Sequence, residues 1–119
     1  MIKEDTEMTF AEMKEFAEKQ VAWYTKQVDW DSKEIRSLTE QIAKSRKSDK
    51  ETQKSILEGD YSETVKSCFR GKWISDDTRK LLNDRARMCR ARRHDLAMIE
   101  KYAADTVSFG KKIEIYGNI

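Results

Sequence analysis

The sequence predicts a mainly α-helical fold in which long amphipathic helices pack as an antiparallel hairpin or bundle, with a small β-hairpin or a short C-terminal strand beside them. Three observations carry this prediction. None of the 119 residues is proline, the residue that breaks helices and marks turns. Charged residues make up 39% and hydrophobic ones 38%, so the apolar material can form stripes but not all-round apolar helices. Within the first 42 positions, apolar residues recur at steps of three and four.

The first helix is expected over residues 9–58. Thr9 and Glu12 have the T-x-x-E spacing of a capping box, with Met8 and Met13 placed as a hydrophobic staple, and residues 1–8 are expected to fray. Phe10, Met13, Ala17, Val21, Tyr24, Val28, Ile35, Leu38 and Ile42 form one seam, in which Asp31 holds a position where an apolar residue is missing. The pattern thins through Lys44-Ser45-Arg46-Lys47-Ser48-Asp49-Lys50, and Ser48 with Glu51 offers a second capping box. An unbroken helix to Gly59, a candidate C′ glycine, would run about 75 Å at 1.5 Å per residue. A compact chain of this length has a radius of gyration of about 13–14 Å. The stripe must therefore break near 45–48 and fold back, or find its partner in a second copy of the chain.

Residues 60–75 read as a hairpin or loop, with Thr64-Val65, Cys68-Phe69 and Trp73-Ile74 flanking Arg70-Gly71. Ser75-Asp76-Asp77 supplies a cap and an acidic first turn for a second long helix over 76–105. The expected seam of this helix is Leu82, Ala86, Cys89, Leu96 and Ala103, flanked by Leu81, Met88, Ile99 and Tyr102. Ile113 and Ile115 alternate with Lys112, Glu114 and Tyr116, which predicts a strand over 107–116. The whole chain reads as a single domain, without internal repeats.

Composition narrows the function. A formal net charge of +2 is too near balance for general nucleic-acid or membrane adhesion. Two cysteines, Cys68 and Cys89, are too few for a disulfide scaffold and lack C-x-x-C spacing, so both are expected reduced. No apolar run reaches the roughly 20 residues of a membrane span. A cytoplasmic protein without membrane attachment, cofactor or metal is expected. His94 is the only histidine, the four glycines are scattered, and neither a nucleophile elbow nor a metal motif is present, so no catalytic residue is assigned and an enzyme is not expected.

The densest local feature is Arg85, Arg87, Arg90, Arg92 and Arg93, with no acidic residue between Arg85 and His94. Guanidinium groups pair with phosphate or carboxylate and stack on rings, the chemistry used for nucleotides and single strands. The candidate ligand-binding set is these five arginines with Asn83, and with Trp73 or Trp23 as a stacking wall. Arg93 is expected within the apolar seam, between Cys89 and Leu96, and so in need of a partner acid or a bound anion. The leading expectation is a non-enzymatic, self-associating coiled-coil-like protein, a dimer or higher, that captures an anionic ligand such as a nucleotide or nucleic acid. The alternative is a helical protein–protein interaction or inhibitor module, of the kind mobile elements encode as accessory proteins. In that reading the arginines pair with the acid-rich start, where Glu4, Asp5, Glu7, Glu12, Glu15 and Glu18 outnumber Lys3 and Lys14.

Overall fold

The structure, a computed structural model, describes residues 8–119, so the expected fraying of 1–8 falls, except for Met8, outside the described residues. Three helices follow in order: α1 over Phe10–Glu58, α2 over Glu63–Cys68 and α3 over Asp76–Tyr116. Neither the β-hairpin nor the C-terminal strand forms, and no strand is present among the described residues. The chain divides into two compact units. The first takes the described part of Met1–Ser32 with Arg90–Ile119, and the second takes Lys33–Cys89. In each, a stretch of α1 packs antiparallel to a stretch of α3.

The first unit begins with the capping box the sequence announces. Thr9 Oγ1 accepts from the Glu12 N–H at 3.2 Å, and the Thr9 hydroxyl donates to Glu12 Oε1 at 3.3 Å. The two remaining free donors of this first turn are met from the far end of the sequence. Phe10 N–H donates to the Ile119 main-chain oxygen at 3.1 Å, and Ala11 N–H to Asn118 Oδ1 at 2.8 Å. The C-terminal segment turns there because Gly117, at φ +74°, ends α3 in the left-handed conformation, its N–H bonded to the Ile113 carbonyl at 2.9 Å. Phe10 meets Phe109 with ring centroids 6.5 Å apart, and Ala17 is buried.

The second unit continues α1 without a break at 45–48. The reason lies in the seam, which turns polar there but keeps its spacing: Ile42 is buried, and so is Asp49 seven residues on. Buried Thr78 is the centre of a hydroxyl network. It donates to Asp49 Oδ2 at 2.6 Å, Ser45 and Ser75 bring their hydroxyls to its Oγ1, and the Ser75 N–H donates to Asp49 at 3.1 Å. Ser75 also caps α3, its Oγ accepting from the Thr78 N–H at 3.2 Å. Burial pushes the Asp49 carboxyl upward, but the hydrogen bonds from Thr78 and Ser75 outweigh it and hold the group below the ordinary value of 3.8.

The expected hairpin at 60–75 is replaced by α2, capped by Ser62, whose hydroxyl accepts from the Val65 N–H at 3.3 Å. An isolated two-stranded hairpin is marginal in water. Here the carbonyls after α2 go instead to α1: the Gln53 side-chain amide donates to those of Phe69 and Gly71. Gly71, at φ +76°, makes the turn between them and Trp73. Gly59 is not a left-handed C′ residue as the sequence suggests. Its role is close approach, because a Cβ there would lie 2.7 Å from the Ser55 carbonyl oxygen and 2.9 Å from the Tyr61 ring.

The C-terminal strand is overruled by the seam of α3. Thr78, Arg85, Arg92, Ile99, Thr106 and Ile113 stand seven residues apart and all are buried or half-buried, as are Leu81, Met88, Asp95, Tyr102 and Phe109. Ile113 extends this period, whereas the alternation that predicts a strand leaves Ile115 70% exposed. Of the expected seam, Leu82 and Cys89 are half-buried, but Ala86, Leu96 and Ala103 are exposed, and the inward positions run one residue earlier, through Leu81, Met88 and Tyr102 of its expected flank. The true seam carries Arg85, Arg92 and Asp95, which an apolar search passes over.

Candidate interaction surface

That shift in register relocates the arginines. Arg93 is exposed and does not enter the seam, because the inward position falls one residue earlier, on Arg92. Arg92 is half-buried and its Nε donates to Ser32 Oγ at 3.0 Å. Arg85, also half-buried, reaches Thr39 Oγ1 at 3.5 Å, a long contact. Arg87 pairs with Asp84 three residues back at 3.2 Å. Arg90 and Asn83 are exposed. Arg85, Arg87 and Arg92 thus each take a separate partner. The described acids of the N-terminal stretch are also engaged locally, Glu15 with Lys19 at 3.2 Å and Glu18 with Lys14 at 4.0 Å, while Glu4, Asp5 and Glu7 lie outside the described residues.

The gap that Asp31 leaves in the α1 seam is a buried polar layer of the first unit. Asp31 is 3% exposed and its Oδ2 has no hydrogen-bond partner. Burial raises its pKa to about 6, reinforced by a hydrogen bond to Asp95 and by that group's charge, with the Arg92 guanidinium pulling the other way. The Asp31 carboxyl thus keeps its proton to a higher pH than an exposed aspartate does. No cluster of three or more His, Cys, Asp or Glu suited to a metal exists among the described residues. In this register Asp31 of α1 stands beside Asp95 and Arg92 of α3.

The larger departure from an ordinary helix surface is a column of rings on α1. Phe16, Trp23 and Trp30 follow one another at seven-residue steps beside the α3-facing seam, and they are 50%, 52% and 54% exposed. The inner edges of Phe16 and Trp23 are anchored. Phe16 meets Tyr102 edge-on at 6.2 Å, and Trp23 meets Tyr24 edge-on at 4.8 Å. Tyr24 is in turn stacked on Tyr102 at 6.0 Å and touches the His94 ring at 6.4 Å. Half-buried rings thus brace Phe16 and Trp23, and about half of each residue in the column is left to water. Aromatic residues of this size bury about 150–250 Å² when covered, so the three rings leave roughly 300 Å² of apolar surface on one helix face. An apolar patch of this extent marks an interaction site more often than a scatter of single residues does.

The sequence singled out Trp23 as a stacking wall, and the structure places it in this column. It brings Trp23 into line with Phe16 and Trp30 on α1. Trp73 belongs to the second unit, against Phe69 at 4.7 Å. The seven-residue step was legible in the sequence, but the side of the seam on which the column falls was not.

No helix is long and apolar enough to cross a membrane among the described residues. The fold and this surface define a class, antiparallel paired helices with a polar-studded seam and an open aromatic column. Comparison with known proteins finds no matching family model, no matching curated protein and no matching solved structure.

Proposed function

We propose that the protein is a non-enzymatic, self-associating helical interaction module whose α1 aromatic column packs against the same column of a second copy. The observation that carries this reading is the half-exposure of Phe16, Trp23 and Trp30 at a constant seven-residue step. That step is the period of the α3-facing seam, so a partner able to follow it along its length is another helix of similar winding. A two-fold axis through Trp23 makes the column self-complementary, with Trp23 on Trp23 and Phe16 on Trp30 of the other copy. The flanking ammonium of Lys19 is already paired with Glu15 at 3.2 Å, which weakens like-charge repulsion across such an axis. A stable interface needs about 800 Å² per partner. The rings supply roughly 300 Å² of it, and neighbouring Met13, Gln20 and Gln27 extend it along the same side of α1.

The need for a second layer follows from the burial. Ala17 and Ile42 are the buried hydrophobic residues among those described, and two helices alone cover only one stripe of each. Light scattering at tens of micromolar should return at least twice the chain mass of 14.0 kDa, and Trp23→Glu should return the single-chain mass with an unchanged helical circular dichroism spectrum. A wild-type protein that runs at the single-chain mass would refute this assignment.

A further inference from the structure

The second unit contains a cavity of about 260 Å³ bordered by Arg46, Asp49, Lys50, Lys72, Trp73 and Ile74. From it we infer a binding site for a nucleoside monophosphate, independent of the aromatic column of the first unit. Three cations face one carboxylate there. No ion pair engages Arg46, Lys50 or Lys72 among the described residues. The carboxylate, Asp49, is committed through Oδ2 to the Thr78 hydroxyl and the Ser75 N–H. The lining therefore has a net charge of +2, counting Arg46, Lys50 and Lys72 against Asp49, which matches a phosphate dianion.

The cavity wall is planar and apolar where the cations end. Trp73 is half-buried, braced by Phe69 at 4.7 Å, with Ile74 beside it. Indole beside cationic groups is the pairing that holds a nucleobase by stacking and its phosphate by charge. The volume lies just under the range of pockets that take drug-sized molecules, which suits one nucleotide and not a dinucleotide.

The site is also held in place from both sides. Upstream of Lys72 and Trp73, Gln53 of α1 fixes the Phe69 and Gly71 carbonyls. Downstream, Asp49 of α1 fixes Ser75. A segment pinned at both ends to the helix that carries Arg46 and Lys50 keeps the Trp73 ring beside those residues before any ligand arrives, which lowers the ordering cost of binding. The polar stretch of residues 44–50, where the apolar pattern of α1 thins, is on this reading the phosphate-facing side of the site.

Isothermal titration of the full chain with AMP, GMP, CMP and UMP at low salt tests the assignment, with inorganic phosphate, adenosine and a short oligodeoxythymidine as controls. At least one monophosphate should bind more tightly than phosphate or nucleoside alone, and its affinity should fall as salt is added. Arg46→Ala with Lys50→Ala should weaken it about tenfold or more, because both side chains are exposed and their loss leaves the fold intact. Trp73→Phe should retain binding, and Trp73→Leu should lose it. The assignment is overturned if no monophosphate binds at millimolar concentration, if phosphate alone binds as well, if only the oligonucleotide binds, or if the double variant binds like wild type.

Discussion

Replacing Asp31 with asparagine should stabilise the protein at neutral pH and leave it unchanged in acid. Asp31 is buried in the seam, one carboxylate oxygen has no partner, and its pKa stands at about 6 against an ordinary value of 3.8. Below the lower value the carboxyl is protonated in both folded and unfolded chains and costs nothing. Between the two values the folded chain keeps the proton while the unfolded chain releases it, so stability falls as pH rises. Above about 6 the loss is complete, and it amounts to roughly 3 kcal/mol, at 1.36 kcal/mol for each tenfold change in proton affinity. An asparagine amide fills the same volume, cannot ionise, and can still donate a hydrogen bond to Asp95. Urea unfolding at fixed, low protein concentration from pH 4 to pH 7.5 measures the effect. The variant should be more stable than wild type by about 2–3 kcal/mol at pH 7.5, with the difference closing toward pH 4. A difference that does not change with pH, or a variant that is less stable at pH 7.5, would show that Asp31 does not carry the strained charge.

Three further predictions concern Thr78 and two of the glycines. Thr78→Val removes the hydroxyl that donates to Asp49 and should cost about 1.5–3 kcal/mol at neutral pH. Because the folded pKa of Asp49 is depressed, its stabilisation is present at neutral pH and lost on acidification, so the gap between Thr78→Val and wild type should narrow in acid, opposite in sense to Asp31. Gly59→Ala should destabilise by about 1–3 kcal/mol, since its Cβ meets the Ser55 carbonyl. Gly110→Ala, with nothing nearer than the Lys14 side chain at 4.0 Å and a helical backbone, should stabilise by about 0.5–1 kcal/mol. Thermal melts of the two alanine variants should therefore shift in opposite directions from wild type.

The sequence alone determined the helical class, the N-caps at Thr9 and Ser75, and the α1 seam down to Asp31 as its odd member. These signals are local: a cap needs residues within one turn, and a seam rich in apolar residues is visible from its own spacing. Tertiary structure decided what needed a neighbour. The register of α3 was invisible because its seam mixes Arg85, Arg92 and Asp95 with the apolar residues, and such groups read as inward only once Ser32, Thr39 and Asp31 stand opposite. The 60–75 segment formed α2 and a turn, not a hairpin, because Gln53 and Asp49 on α1 satisfied the main-chain groups that a second strand would have used. The cavity around Trp73 is the clearest case, since Arg46 and Lys50 come from one part of the sequence and Lys72 from another. Only the folding of α1 against the start of α3 brings those charges within reach of a single anion.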